Sequence, residues 1–248
     1  MSKSALDHRA ESLGRTLLFG SLDASALERL AAMARPLHFR AGDMIFRKGD
    51  PCWSLYVIER GRVKIAATSA EGREIGLNLL GPEAVFGEVA LVDGGVRTAD
   101  AIACEPVILL ALDRAQLVPF LEREPALMFS MLAALAQRVR WVSSRFEDSH
   151  FLGVPARMAK RILSLGEHFG VESRDGLRLN VSLSQRELAS HMGVTRETIN
   201  RLLQDWREAG LITIDRGVIV LRDLPRLAQI AGDDEAGYAR VRPARAGD

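Results

Sequence analysis

The chain has two cysteines in 248 residues, Cys52 and Cys104. Two isolated thiols are too few for a disulfide framework and lack the spacing of metal ligands, so each reads as a small buried hydrophobe. Long apolar runs are also missing. None approaches the ~18–20 residues that cross a bilayer, and the polar start Met1–Ala10 holds no signal-peptide core. A cytoplasmic protein with no membrane contact is the expectation. Nor does one sign of charge dominate, with 33 Lys and Arg against 32 Asp and Glu. Residues 1–149 carry 18 basic and 19 acidic side chains, residues 150–230 carry 12 and 9, and the tail 231–248 carries 3 and 4. That swing is compatible with a C-terminal module that meets a polyanion, and is too small to indicate one. No nucleophile–base pair or metal-ligand cluster is visible. No catalytic or metal residue is therefore assigned, and an enzyme is not expected.

What is present is ordinary globular material, 48% hydrophobic and 26% charged, long enough for one large domain or two modest ones. Leu22, Ala26, Leu27, Leu30 and Met33 stand at helical spacing, with Asp23 as an N-terminal signal. From Pro36 to Leu112 the texture changes. Short apolar runs (Met44–Phe46, Leu55–Ile58, Val63–Ile65, Val107–Leu110) alternate with Gly42, Gly49, Gly61, Gly72, Gly81 and Gly94-Gly95. Many short strands between regular turn residues predict a barrel, jelly roll or generic β-sandwich.

The most informative segment runs from Phe86 to Ala99, where Gly87-Glu88 and Arg97-Thr98-Ala99 flank the Gly94-Gly95 turn. A guanidinium clamps phosphate with a planar fork of donors, and a carboxylate accepts from sugar hydroxyls. Gly87 lets the backbone approach a ligand closely. These residues suit a small phosphorylated sugar such as a nucleotide. A β-hairpin with a surface Glu–Arg pair is the alternative.

Asp113 precedes a short helical stretch, and Pro125 suits the first turn of a longer helix. Beyond it, Met128, Leu132, Leu135, Val139, Val142 and Phe146 alternate at spacings of four and three, the seam of a two-stranded coiled coil. One amphipathic helix folded onto its own domain also fits. Leu152–Phe169 is read as a further helix. Ser184 and Glu187 then form a capping box, Gly193 supplies a turn, and Thr195 caps a second helix. Two short helices about a glycine turn make a helix-turn-helix, leaving Arg196, Glu197, Asn200 and Arg201 outward. Such residues read base edges; a solvated face with Glu197 and Arg201 paired is the alternative. Leu211–Ile214 and Val218–Val220, joined through Asp215-Arg216-Gly217, form a hairpin wing that favours the DNA reading.

With these motifs in order, residues 17–222 resemble the CRP/FNR transcription factors, in the cyclic-AMP receptor branch. Gly87-Glu88 with Arg97-Thr98-Ala99 resembles the phosphate-binding cassette, and Phe46–Asp50 and Ile58–Val63 resemble its β-roll turns. Arg196-Glu197 followed by Arg201 matches the recognition helix of that branch. The implied fold is α+β: a cyclic-nucleotide-binding β-roll (jelly roll) at 17–124, a dimerisation helix at 125–150 and a winged helix-turn-helix at 151–230; the tail at 231–248, with Gly, Asp and Arg and few apolar residues, is expected to be disordered from its composition. The resemblance implies a homodimer regulating transcription, with promoter DNA, cyclic nucleotide and RNA polymerase as partners and no prosthetic group. Gly87 and Glu88, with Val89 beside them, would hold the ribose. Arg97 and Thr98 would take the cyclic phosphate, and Arg138 would reach towards Glu88. Val142 and Ser143 stand where that receptor presents Thr then Ser to the purine. One hydroxyl has become a methyl, so both cyclic AMP and cyclic GMP stay open. Arg196, Glu197 and Arg201 would read a TGTGA-like half-site, and Ser184 and Gln185 would touch phosphates. Thr195 and Asn200 complete the DNA-binding set. The family's four-cysteine iron–sulfur pattern is missing, and the cassette has neither Cys nor His for haem. His38, His150, His168 and His191 read as surface or satisfied histidines. Rival readings are a regulator that binds DNA without nucleotide or senses another effector, an enzyme-associated regulatory module, and a structural oligomerisation protein.

Overall fold

The computed structural model describes residues 3–69, 74–181, 184–215 and 217–232. The Gly72 turn, Arg216 of the wing and nearly all of the expected disordered tail lie outside the described residues. The chain divides into two compact units, Met1–Val142 and Ser143–Asp248.

In the first unit, helices α1 (Lys3–Gly14) and α2 (Ala24–Met33) precede the strands β1 (Arg35–Phe39), β2 (Met44–Phe46), β3 (Ser54–Arg60), β4 (Val63–Thr68), β5 (Glu74–Leu80) and β6 (Val85–Phe86). A short helix α3 (Glu88–Asp93), strands β7 (Asp100–Ala103) and β8 (Val107–Asp113), helix α4 (Arg114–Arg123) and the long helix α5 (Pro125–Phe151) follow. The strands form two four-stranded antiparallel sheets, ordered β1-β8-β3-β6 and β2-β7-β4-β5. Period-two alternation explains how β8 serves two cores. Val107 and Leu109 join Ile58, Val63, Ile65 and Phe86 in one cluster. Leu110 and Leu112 face the other way, with Leu55 of β3, onto a cluster with Leu13, Leu30, Leu91 and Leu127 from the helices. Each fully buried Leu side chain is worth about 1.5–3 kcal/mol over exposure, so this second cluster anchors α1, α2, α3 and α5 to one sheet. Helix α1, upstream of the expected start at residue 17, belongs to the same core. Asp23 caps α2 as its position suggested, accepting from the Ala26 N–H.

The segment after Phe86 is not a hairpin. Gly87 adopts φ 86° and Gly94 φ 72°, and the left-handed backbone at each end bounds the six residues of α3. Cys104 is exposed and Cys52 half-buried, so the expectation of two buried thiols fails for Cys104.

The second unit holds the end of α5 and helices α6 (Val154–Phe169), α7 (Gln185–Met192), α8 (Arg196–Glu208) and α9 (Leu224–Ala231). Its strands β9 (Gly170–Ser173), β10 (Gly176–Leu179), β11 (Ile212–Asp215) and β12 (Val218–Leu221) form one sheet, ordered β11-β12-β10-β9. The wing hairpin is thus half of a four-stranded sheet. Helix α6 begins at Val154 rather than Leu152, because Gly153 is its extended N-cap and Pro155 occupies its first turn. Leu188, Ala189 and Met192 of α7 and Ile199, Leu202, Leu203 and Trp206 of α8 are buried, and the two helices pack on each other. The Ser184–Glu187 capping box forms in both directions. Ser184→Ala is expected to lower stability by ~1 kcal/mol in urea unfolding. An unchanged midpoint would mean that the cap is dispensable for α7.

Candidate ligand cleft and nucleic-acid interface

In the first unit the left-handed turn at Gly87 aims α3 so that Glu88 and Val89 line a cleft closed by β2, β6 and α5. Arg97 lies at its centre, only 3% exposed. Its Nη1 donates to the Gly87 carbonyl at 3.1 Å and its Nη2 to the Ser54 carbonyl at 2.6 Å. The guanidinium carbon sits 4.2 Å from the Phe46 ring centroid and 5.4 Å from that of Tyr56. Tyr56 stacks on both Phe46 and Phe86, whose own rings are tilted, and the three form an aromatic wall whose Phe46 and Tyr56 faces hold the cation. Arg97 Nε is buried with no hydrogen-bond partner among the described residues. A buried donor left unpaired costs free energy, and an oxyanion in the cleft would satisfy it. At Gly87 any Cβ would lie 2.4 Å from Arg97 Nη1, so no other residue fits there without moving the arginine.

Thr98 is exposed at the cleft rim, and Glu88, Val89 and Arg138 are half-buried within its lining. Gly87, Glu88, Val89, Arg97, Thr98 and Arg138 are therefore brought together. Arg138, on α5, lies over the Trp141 ring at 5.2 Å, giving the cleft a second guanidinium. Val142 is exposed on α5 and does not line this cleft; Ser143 opens the second unit and is exposed. The aromatic wall was missed from the sequence. Phe46 does stand in the Phe46–Asp50 turn string, but a single aromatic before a turn carries no sign of what it stacks on.

Along α5, Leu127 and Met131 are buried in the first unit's core and Leu135 packs against it. Met128, Leu132, Val139, Val142 and Phe146 are exposed. The expected seam is therefore corrected at one position: Leu135 serves its own domain, and the unpartnered apolar stripe runs through the other five.

In the second unit Thr195 caps α8 by accepting from the Thr198 N–H. Arg196, Glu197 and Arg201 are exposed on the first turns of α8, with Thr195 at their edge. The Glu197 carboxyl is held below its ordinary range by its own backbone N–H and then by the Thr195 hydroxyl. Among the described residues no ion pair joins it to Arg201, so the paired-face alternative is not realised. Gln185, at the start of α7, accepts from Arg196 Nε at 3.4 Å, which links the two helices' exposed ends. Two expectations change. Asn200 is half-buried with its Oδ1 enclosed and unpaired, because it lies on the side of α8 that turns inward. Ser184 uses its hydroxyl within the capping box, donating to Glu187 at 2.8 Å.

Comparison with known proteins matches both units. Residues 36–124 match the cyclic nucleotide-binding domain family, and residues 156–230 the Crp-like helix-turn-helix domain. A CRP-like cAMP-activated global transcriptional regulator of Mycobacterium tuberculosis is 34% identical over 221 residues, covering 89% of this chain and 99% of the relative. The cyclic AMP receptor protein of Thermus thermophilus is 34% identical over 190 residues, 77% of this chain and 85% of that one. A solved CRP/FNR-family regulator from Thermus thermophilus superposes with a TM-score of 0.68 at 29% identity, covering 80% of this chain and 99% of that structure. The cleft around Arg97 lies within the first matched domain and the capped helix pair with its wing within the second, and the chain belongs to the CRP/FNR family of transcription regulators, with a cyclic nucleotide-binding domain ahead of a DNA-binding helix-turn-helix.

Proposed function

We propose that this chain acts in the cytoplasm as a homodimeric, cyclic-AMP-responsive transcription regulator on a TGTGA-like palindrome. The observation that carries the reading is Arg97, buried in a cleft beside Glu88 with one donor unpaired. The effector follows from the relatives named as cAMP-activated and as a cyclic AMP receptor; cyclic GMP is the competitor, since Val142 offers the purine no hydroxyl. Gly87, Glu88 and Val89 hold the ribose, Arg97 and Thr98 the cyclic phosphate, and Arg138 closes the cleft from α5. Val142 and Ser143, outside the cleft in the single chain, meet the purine from the α5 of the second copy. The exposed stripe of α5 pairs with that of a second copy. Nucleotide then shifts the population towards the DNA-competent arrangement, which requires that it bind that arrangement more tightly. RNA polymerase is the further partner.

Arg196, Glu197 and Arg201 read base edges while Gln185, Ser184 and Thr195 position the duplex. Ser184 does so through the helix terminus that it caps. Fluorescent-duplex titration at one fixed salt concentration tests the whole reading. Cyclic AMP should tighten binding to the palindrome at least tenfold, corresponding to a coupling of about 1.4 kcal/mol. Equal affinity with and without cyclic AMP or cyclic GMP would exclude nucleotide control. That outcome would favour a second reading, DNA binding independent of nucleotide, to which the Arg97 bonds to Gly87 and Ser54 lend support. Arg201→Ala should lose ~1–3 kcal/mol on the palindrome and little on random duplex, whereas Gln185→Ala should weaken both alike. Equal losses on both duplexes for Arg201→Ala would remove α8 from base reading.

A further inference from the structure

Helix α6 carries Arg157 and Arg161 four residues apart, hence on one face. The Lys160–Asp148 ion pair at 2.8 Å ties this helix to the end of α5. Arg145, one turn before Asp148, therefore lies close enough for its charge to act on both α6 arginines. Arg161 is 5% exposed, and its Nε and Nη2 have no hydrogen-bond partner among the described residues. The Nε of Arg157 is likewise buried and unpaired. A guanidinium stays ionised and has five donors and no acceptor, so neutralisation does not relieve these contacts. Burial, then the charge of Arg145, pulls Arg161 down to about 10, still protonated at neutral pH. Asp148 pairs with Lys160 and its charge also acts on Arg145, while the unpaired donors belong to Arg157 and Arg161. Three like charges with at least three unpaired buried donors have an obvious complement, an anion with several oxygens.

We propose that Arg145, Arg157 and Arg161 form an oxyanion site in the second unit that takes the phosphate group of a small molecule. A tetrahedral phosphate offers enough acceptor oxygens for the unpaired donors of two arginines at once. The burial of Arg161 favours a compact ligand over a duplex backbone, which stays at the surface. Arg145 and Arg157, both half-buried, form the entrance. The site shares no residue with the cleft around Arg97, so it holds whether or not that cleft takes cyclic AMP.

Isothermal titration of the full-length protein with inorganic phosphate, in chloride buffer at constant ionic strength, tests this. Saturable binding is expected, weakened at least tenfold by Arg161→Leu. Should that variant fail to fold, Arg145→Gln at the entrance should weaken binding several-fold. In an Arg97→Leu background the phosphate isotherm should persist, since the cleft is elsewhere. Glycerol phosphate is the second probe: tighter binding than phosphate marks a phosphorylated metabolite, weaker binding marks free phosphate, and both sustain the site. No saturable binding, parent-like affinity in the folded arginine variants, or loss of the isotherm with Arg97→Leu would each overturn it. So would displacement of phosphate by random duplex, which would assign these arginines to the DNA backbone.

Discussion

An Arg97→Leu chain is expected to lose cyclic-nucleotide binding by at least ~100-fold while its fold persists. Removing one partner of a buried charge pair costs about 3–5 kcal/mol, and each 1.4 kcal/mol is a decade in affinity. Leucine keeps an apolar side chain against Phe46 and Tyr56, where the guanidinium now stacks. The Gly87 and Ser54 carbonyls lose their donor at a cost of about 1–3 kcal/mol, partly offset because a buried charge with an unpaired Nε disappears as well. Arg138 remains in the cleft lining, so a weak residual interaction is expected rather than none. Calorimetry with cyclic AMP measures the loss, and urea unfolding checks the fold. Affinity within threefold of the parent would show that Arg97 is not the phosphate partner.

The second large effect lies on α5. Val139 and Phe146 are each 65% exposed in the single chain, on a stripe that continues through Met128, Leu132 and Val142. A 27-residue helix that buries one side in its own unit and leaves a second apolar side bare has the pattern of a two-stranded seam. Val139→Glu would place two carboxylates face to face at the axis of a symmetric pair, costing several kcal/mol. Sedimentation should then find monomers at concentrations where the parent is dimeric. Leu135→Glu is the poorer test, because Leu135 also packs on the first unit's core and its loss would unfold that unit as well. A Val139→Glu chain that sediments as the parent does would place the partner surface elsewhere.

Much of this architecture was legible because its signals are local. Asp23, Ser184 with Glu187, Gly193 and Thr195 each act within four residues of themselves, and all four do in the structure what their positions suggest. Strand β7 gave no such signal: in Asp100-Ala101-Ile102-Ala103 the aspartate and both alanines have low strand propensity, and its place between β2 and β4 is decided by pairing across the sheet. The β9–β10 hairpin was hidden for a similar reason, being short and glycine-flanked. Within the cleft, Gly87, Glu88 and Arg97 could be read from their spacing. The partners of Arg97 could not, since Phe46 and Ser54 are brought to it by strands more than forty residues away in sequence. Asn200 misled because its position on the helix was right to within a turn, while its burial depends on the neighbours of α8.

The placement of Trp141 beneath Arg138 has a spectroscopic consequence. Of the three tryptophans, Trp206 is buried in the second unit and Trp53 is solvent-exposed on the first. Trp141 alone belongs to the groove that adjoins the cleft through Glu88 and Arg138. A ligand that draws the Arg138 guanidinium off the indole face removes a cation from its excited-state field. Emission from this chain should therefore change when such a ligand arrives at the cleft, without any added label, and the change should vanish in a Trp141→Phe variant.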